Sequence, residues 1–218
     1  MSDCIVHALF PTPVYITKYK RDNNLENYLK NLKVHKRFLS SDPAKPMFGT
    51  HSNNVKVLRE KECAELRQFI LNHAKDLGNK VLGYDVSEYQ DVLSWVSTKE
   101  SGDYHTGHTH PNSLISGVYY FDSNTTPLCF VDSTRNPVQR VCNISPLKNA
   151  KSESTFALET VVLDIQVGDV VLFPSYLKHT VLTNTTNLPR YSLAFNIMPK
   201  YNLGDVTELT LFDYGDAI

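Results

Sequence analysis

Short β-rich runs, separated by turn residues, make up the sequence from Glu88 onwards. The run 190–197 has the clearest pattern: arginine, serine, alanine and asparagine alternate with tyrosine, leucine, phenylalanine and isoleucine. Such alternation is typical of a strand that packs one face on a core and turns the other toward a pocket. The pattern therefore favours an all-β core that carries flanking helices from the first part of the chain.

The first part of the chain predicts one strand and two helices. A strand is expected over 11–19, and apolar residues at helical spacing predict a short amphipathic helix over 24–32. The segment 38–54 contains prolines, serines and asparagines and is expected to be a loop. Apolar residues from Leu58 to Val81 then trace a second helix.

Length and composition predict a single domain. The chain has 218 residues, of which 41% are hydrophobic, which suits one substantial core. We expect residues 1–87 to form an N-terminal strand and supporting helices, and residues 88–218 to form the β core. The formal net charge of −1 gives no basic excess for a nucleic-acid partner.

Neither an export signal nor a membrane segment is visible, since no uninterrupted apolar stretch approaches about 20 residues. The four cysteines show no paired Cys-x-x-Cys spacing, so reduced thiols and a cytoplasmic location are expected. The sequence predicts no particular oligomeric state.

Three histidines are candidates for one metal site. His108 and His110 lie two residues apart, so on an extended strand both side chains point the same way and can share an ion. His179 follows a Gly-Asp turn and a short apolar run that Pro174 ends. An open non-haem iron site needs a few imidazole or carboxylate donors on one face of the metal, with free positions beside them. The three histidines meet that requirement.

Arg190 is the candidate for binding an acid. Its planar, permanently charged guanidinium suits a two-point grip on a carboxylate, and Ser192 on the same strand face can add a hydroxyl donor. Trp95 is a candidate for the pocket wall, with core packing as the alternative.

Five pieces of the sequence together match the motifs of a known family. They are Gly-Asp-Tyr-His-Thr-Gly-His-Thr-His-Pro at 102–111, Ser-Gly-Val-Tyr-Tyr at 116–120, the segment 168–179, Arg-Tyr-Ser at 190–192, and Leu-Phe-Pro-Thr-Pro-Val at 9–14. With them, the chain resembles the 2-oxoglutarate and Fe(II)-dependent dioxygenases, particularly the prolyl-hydroxylase-like branch found in phages and bacteria. The resemblance implies a double-stranded β-helix, the jelly roll also seen in cupins, as the catalytic core. It further implies Fe(II), 2-oxoglutarate and O2, with ascorbate as a candidate reductant.

The resemblance also implies roles for single residues. His108 and His179 match the two histidine ligands of the family, whereas His110 stands where most members have aspartate or glutamate. A neutral imidazole there leaves the iron centre one unit more positive, which the dianionic co-substrate partly offsets. The metal site is therefore expected to be altered but intact.

Three further residues match the family's grip on the distal carboxylate of 2-oxoglutarate: Arg190, Ser192 and Tyr120. For Tyr120, plain core packing is an equal alternative, since aromatic residues are favoured in strands. A second register of the metal motif uses His105, two residues before Gly107, and leaves a vacant position where the carboxylate normally binds. Pro111 and the spacing to Tyr120 favour the register with His108 and His110, which makes His105 a rim residue.

The expected activity is hydroxylation of a small-molecule or peptide substrate with release of succinate and CO2, in the host cytoplasm if the protein comes from a phage. Two alternatives stay open: a jelly-roll metal-binding or virion-associated module without turnover, and a three-histidine cupin-type dioxygenase that does not use 2-oxoglutarate. The loop 133–153 is interpreted as a substrate-gripping or lid segment, with an ordinary surface loop as an equal alternative. The remaining histidines are expected to be structural or solvated: His7, His35, His51 and His73.

Overall fold

Two antiparallel sheets form the centre of the protein in a computed structural model. The structure describes residues 10–38, 48–122, 126–131 and 158–200, together with a few isolated positions beside these ranges. The loop 133–153 lies outside the described residues, so its interpretation stays a prediction. Within the described part, no helix is long and apolar enough to cross a membrane.

The larger sheet has seven strands in the order β1-β9-β6-β11-β4-β3-β2. Its longest strands, β4 and β11, pair along their whole length and form the middle of the sheet. The strands are β1 (Tyr15–Lys18), β2 (Val34–Phe38), β3 (Phe48–Ser52), β4 (Tyr89–Lys99), β6 (Ile115–Tyr119), β9 (Asp169–Pro174) and β11 (Arg190–Pro199).

The smaller sheet has four strands in the order β5-β10-β7-β8. They are β5 (His105–His108), β7 (Leu128–Val131), β8 (Thr160–Val162) and β10 (His179–Val181). Side chains from both sheets meet in one buried cluster, which includes Val118, Val171 and Phe173 from the larger sheet and Leu128 and Phe130 from the smaller one. The two sheets therefore face each other across an apolar layer.

Two helices cover the other face of the larger sheet. Helix α1 (Asn23–Lys30) begins at Asp22, whose carboxylate accepts hydrogen bonds from the backbone of the first turn. Helix α2 (Ala64–Lys75) follows two 3-10 turns, Val57–Arg59 and Lys61–Cys63, and continues into a π-helical turn, Asp76–Val81. The apolar faces of the helices join a second buried cluster with strand residues: Leu25, Leu29, Leu66, Ile70, Val96, Leu193 and Ile197. The predicted all-β core with flanking helices is confirmed.

Two predictions for the first part of the chain need correction. The segment 38–54 is not simply a loop, because Phe48–Ser52 forms β3, which pairs with β2 and extends the sheet beyond β4. The edge of β4 offers unpaired backbone groups at Thr98 and Ser97, and pairing with β3 satisfies them despite a turn-rich composition. The second helix is shorter than the apolar pattern indicated, because residues before Ala64 form 3-10 turns.

One glycine is required by the packing of the larger sheet. A Cβ at Gly117 in β6 would lie 2.5 Å from the Phe195 ring and 2.5 Å from the Val171 carbonyl oxygen. Both neighbours are fully buried, so neither can move aside easily. Gly117 thus allows β6, β9 and β11 to approach closely beside the cavity described below.

Candidate active site

A cavity of about 650 Å3 lies between the two sheets. Strands β4 and β11 of the larger sheet line one side of it, and β5 and β10 of the smaller sheet line the other. The sequence-predicted candidates that line this cavity are His105, His108, His110, His179, Arg190, Ser192 and Trp95. Tyr120 is fully buried next to the cavity but is not part of its lining.

The structure brings His108, His110 and His179 together. His179 begins β10 and lies directly opposite His108, the last residue of β5. One ring nitrogen from each of the three histidines lies within 4.8 Å of the others, and the Nε2 atoms of His110 and His179 are 3.3 Å apart. The three rings can therefore hold one metal ion on a common face.

Backbone carbonyls fix the orientation of two of these rings. Nδ1 of His108 donates to the Thr106 carbonyl at 2.9 Å, and Nδ1 of His179 donates to the Leu177 carbonyl at 2.9 Å. A carbonyl can only accept, so the proton of each neutral ring lies on Nδ1 and the lone pair on Nε2. The backbone N–H of His110 donates to the Ser175 carbonyl at 3.0 Å, which ties His110 to the end of β9.

Burial keeps the three rings neutral. It lowers the pKa of His179 to about 3 and that of His110 to about 4, and it also lowers the pKa of His108. In each case removal from water outweighs the other influences, because a charged imidazolium is poorly solvated between the sheets. The neutral imidazole, with a free lone pair on one ring nitrogen, is the form in which histidine binds a metal.

His105 lies beside this group without belonging to it. Its ring centroid is 4.1 Å from that of His108, but its Nδ1 faces the Thr106 carbonyl at 3.0 Å. Among the described residues, the set that could hold an ion comprises the other three histidines. This geometry favours the register with His108 and His110, and it leaves His105 on the cavity wall.

Arg190 begins β11 at the inner end of the cavity and is only 1% exposed. Its guanidinium carbon lies 5.3 Å from the centre of the Tyr120 ring. Within the described part of the chain, neither Nε of Arg190 nor the hydroxyl of Tyr120 has a hydrogen-bond partner. Buried polar atoms without partners are rare in native proteins, so these two point to a ligand that supplies acceptors. Ser192, two residues along β11, is also buried and lines the cavity.

Two of the cavity residues that the sequence interpretation missed are charged or titratable, Lys99 and His51. Lys99, the last residue of β4, is 1% exposed and lies directly opposite Arg190 in the sheet. Burial lowers its pKa to about 8; Arg190 acts in the same direction, whereas the Asp103 carboxylate opposes the shift. His51 of β3, expected to be structural or solvated, also lines the cavity. The sequence could have indicated Lys99, because it lies four residues after Trp95 and alternation along a strand places both side chains on one face of β4.

The outer part of the cavity is apolar. Trp95 lines it, with its ring centroid 6.1 Å from that of His110 and 5.8 Å from that of His51. Leu93 and Val55 also line this part, and they are 41% and 40% exposed. The cavity is therefore polarised, with cations at its inner end, imidazoles beside them and apolar side chains toward solvent.

Residues 93–196, which include β5 and β10 and most of β4 and β11, match the family model described as "Putative 2OG-Fe(II) oxygenase". This part of the chain is thus similar to the 2-oxoglutarate and Fe(II)-dependent oxygenases, as the motifs predicted. No curated protein sequence matches the chain.

Solved structures have the same fold despite low sequence identity. The epimerase SnoN from nogalamycin biosynthesis, described as α-ketoglutarate dependent, has a TM-score of 0.58 at 14% identity, over 87% of this chain and 80% of that one. HygX from Streptomyces hygroscopicus, solved with nickel, 2-oxoglutarate and hygromycin B, has a TM-score of 0.54 at 14% identity, over 87% and 84%. A Pseudomonas putida prolyl-4-hydroxylase has a TM-score of 0.53 at 10% identity, over 85% and 92%. The predicted double-stranded β-helix is therefore confirmed.

Proposed function

We propose that this protein is an oxygenase that binds Fe(II) and 2-oxoglutarate in the cavity between its sheets, because residues 93–196 match the family model of such enzymes. The observation that carries the proposal is one cavity in which three convergent neutral imidazoles lie near a buried arginine with an unpartnered Nε. A purely structural metal site would not require the arginine.

The donor set fits Fe(II). Imidazole binds this ion well, and three histidines on one face leave the remaining coordination positions for the co-substrate and O2. When bound, the metal and the keto acid supply the oxidising chemistry, with release of succinate and CO2. The hydrogen bonds from His108 and His179 to backbone carbonyls hold their Nε2 lone pairs toward the metal position before any ligand arrives.

The other side of the cavity holds the co-substrate. The guanidinium of Arg190 binds the distal carboxylate of 2-oxoglutarate, with the hydroxyls of Ser192 and Tyr120 as further donors. This arrangement uses two of the four buried side-chain polar atoms that have no hydrogen-bond partner in the described structure, Nε of Arg190 and the hydroxyl of Tyr120. The two negative charges of the keto acid also offset the positive charge that a site with three neutral histidines leaves uncompensated.

The primary substrate enters past Trp95, Leu93 and Val55, which favours a molecule with an apolar body. Hydroxylation of a small-molecule or peptide substrate is the proposed outcome. Two of the similar proteins were solved with a small molecule bound, HygX with hygromycin B and SnoN with nogalamycin RO. Exclusion of water by Trp95 and its neighbours would keep the reaction coupled to the substrate.

Anaerobic titration with Fe(II), with and without 2-oxoglutarate, tests this proposal. We expect a weak visible charge-transfer band when the keto acid chelates the metal, and we expect its loss in Arg190→Met and His179→Ala. The Lys75→Met variant, which changes an exposed residue of α2 on the other side of the larger sheet, serves as the control and keeps the band.

Two other outcomes would contradict the proposal. Bound iron without a band would favour the three-histidine dioxygenase that does not use 2-oxoglutarate, or the binding module without turnover. Absence of iron binding in the folded protein would show that the metal assignment is wrong.

A further inference from the structure

A chain of three serine hydroxyls ends at a side chain of the cavity. Oγ of Ser113 donates to the Ile115 carbonyl at 3.1 Å, and Oγ of Ser175 donates to Oγ of Ser113 at 3.0 Å. Oγ of Ser116 lies 2.7 Å from Oγ of Ser175 and 2.9 Å from the side-chain amide of Asn196. Ser116 and Ser175 are each 1% exposed, so these groups depend on one another for their hydrogen bonds.

The number of protons limits how these contacts can be filled. The chain has four links, which join the carbonyl to Ser113, Ser113 to Ser175, Ser175 to Ser116, and Ser116 to Asn196. Each hydroxyl has one proton, and a carbonyl can only accept. Three hydroxyl protons cannot fill four links, so an amide oxygen beside Ser116 leaves two oxygen atoms facing each other without a proton. All four links are filled when the amide of Asn196 supplies the fourth proton.

Either end of the Asn196 amide fits beside Ser116. The contact joins Oγ of Ser116 to Oδ1 of Asn196, but the oxygen and the nitrogen of an amide have nearly the same size, and the surrounding hydrogen bonds decide their positions. A distance of 2.9 Å is ordinary for an N–H that donates to a hydroxyl. A half-turn of the amide therefore completes the chain and leaves the rest of the side chain in place. Among the described residues, the end of the amide that turns away from Ser116 has no hydrogen-bond partner.

Asn196 lies at the outer end of the cavity, away from Arg190. Both side chains line the cavity from one face of β11, and six residues of extended strand span about 20 Å. In the sheet, Asn196 lies directly opposite Leu93, which belongs to the apolar outer part. The carbonyl of Ser175 also accepts the backbone N–H of His110, so the amide lies near the candidate metal ligands. This is the position of a primary substrate and not that of the co-substrate.

We propose that Asn196 is a specificity-determining residue that presents its amide oxygen to the primary substrate. The matching substrate has an apolar body that carries a hydroxyl or an N–H group, because an acceptor in a largely buried site requires a donor. A compound with acceptors only would place two oxygen atoms against each other and would be rejected. This inference rests on the proposed function, because it names a chemical property of that enzyme's substrate.

Two isomers of the same composition test the orientation of the amide. Cyclopentanol has a hydroxyl donor, whereas tetrahydropyran has only an acceptor oxygen. Their binding is measured anaerobically, with and without Fe(II) and 2-oxoglutarate, through the fluorescence of Trp95, the single tryptophan of the chain and part of the cavity wall. We expect cyclopentanol to bind about 10-fold more tightly, because it satisfies a buried acceptor that tetrahydropyran leaves without a donor.

Two variants assign this preference to the amide. Asn196→Leu removes the amide, and Ser116→Ala removes the hydroxyl that orients it, so in each variant the preference should fall below about 2-fold. Ser116→Ala leaves the links of Ser113 and Ser175 filled, which keeps the test decisive if Asn196→Leu does not fold. Asn72→Leu, on the exposed face of α2, is the matched control and keeps the full preference.

Other outcomes would overturn the inference. Equal binding of the isomers, or tighter binding of tetrahydropyran, would mean that the amide nitrogen faces the cavity. Failure of cyclopentanol to bind would mean that the outer cavity does not accept such a molecule, and a preference that persists in both variants would mean that another residue causes it. The proposed function fails by a different result, absence of 2-oxoglutarate binding to the iron-loaded protein, which leaves the isomer preference of the unloaded protein unchanged.

Discussion

Two pairs of cationic residues lie at opposite ends of β4, and they differ in their hydrogen-bond and ion-pair partners. Near the start of the strand, Nε of Arg59 and Nε of Arg67 bind the carboxylate of Asp91 at 3.3 Å and 2.6 Å, and Asp91 is fully buried. At the other end of the strand, Lys99 and Arg190 are buried at the cavity; the Asp103 carboxylate acts to raise the pKa of Lys99, whereas Nε of Arg190 has no hydrogen-bond partner among the described residues.

The difference distinguishes a structural charge cluster from a binding site. The first cluster contains its own counter-charge, so it is complete without a ligand. It connects α2 and the 3-10 turn Val57–Arg59 to the sheet. The second contains the buried guanidinium of Arg190, whose Nε has no hydrogen-bond partner among the described residues, and this favours an anionic ligand. A buried cation that is paired with a carboxylate of the protein thus serves the fold, whereas one whose counter-charge must come from a ligand serves binding.

The largest expected effect comes from removal of the internal counter-charge. Asp91→Asn leaves Arg59 and Arg67 near each other without their carboxylate, and we expect the free energy of unfolding to fall by about 3 kcal/mol. This is the lower end of the range for a broken buried ion pair, because both guanidiniums still reach water. Urea unfolding measures the change, and binding of 2-oxoglutarate by the folded protein should stay the same.

The control for that prediction is Glu88→Gln, which breaks an exposed pair with Lys200 at 3.4 Å. Its effect should stay below about 0.5 kcal/mol, as for other surface pairs. A similar loss in both variants would mean that burial of Asp91 does not matter, and the contrast between the two clusters would be lost.

Removal of a cation from the cavity should increase the stability of the ligand-free protein, the opposite of the effect at Asp91. We expect Arg190→Met to raise the free energy of unfolding of the ligand-free protein by about 2 kcal/mol, because a buried charge is replaced by an apolar side chain of similar length. The same variant should lose the stabilisation that 2-oxoglutarate gives the iron-loaded protein, about 2.7 kcal/mol at a ligand concentration 100 times Kd. Urea unfolding with and without the ligand measures both effects, and a less stable ligand-free variant would contradict the interpretation.

The smallest expected effect depends on pH. The pKa of Lys99 is about 8 in the folded protein and near its ordinary value of 10.5 in the unfolded chain. Below pH 8 the lysine is charged in both states, so its burial cost is fully present. Above pH 8 the folded state releases the proton first, and stability relative to Lys99→Met then rises with pH. We expect this difference to change by about 1 kcal/mol between pH 7 and pH 9 in urea unfolding of the ligand-free proteins.

If the difference between the unmodified protein and Lys99→Met were independent of pH, the ammonium would not titrate in this range and the cavity would be less desolvated than its geometry indicates. Lys75→Met again serves as the control, since it lies on the outer face and should show no such change.

Much of the fold followed from local patterns. The alternation in 190–197 placed Arg190 and Ser192 on one face and Leu193 and Ile197 on the other, and the structure has the first pair in the cavity and the second in the helix-side core. Helix α1 was predicted almost to its ends, because its apolar spacing agrees with the capping carboxylate of Asp22. Such features depend on near neighbours in the chain.

The features that were missed depend on contacts between distant segments. Strand β3 forms because β4 offers it an edge, and nothing in the composition of 48–52 signals that pairing. Lys99 ends a strand in the sequence Ser-Thr-Lys, which by itself is typical of a solvated strand end. Only the pairing of β4 with β11 reveals that this end is covered and that a second cation lies opposite.

The three candidate metal ligands also set an order of events during synthesis of the chain. His110 is anchored to the larger sheet through Ser175, whereas His108 and His179 belong to the smaller one, and 69 residues separate His110 from His179. At about 5–20 residues per second, the ribosome needs about 3 to 14 s to make that interval. Throughout it, the nascent chain carries only the His-x-His pair. At the proposed metal site, a complete set of three ligands therefore exists only after residue 179 has been made and both sheets can close around the ion.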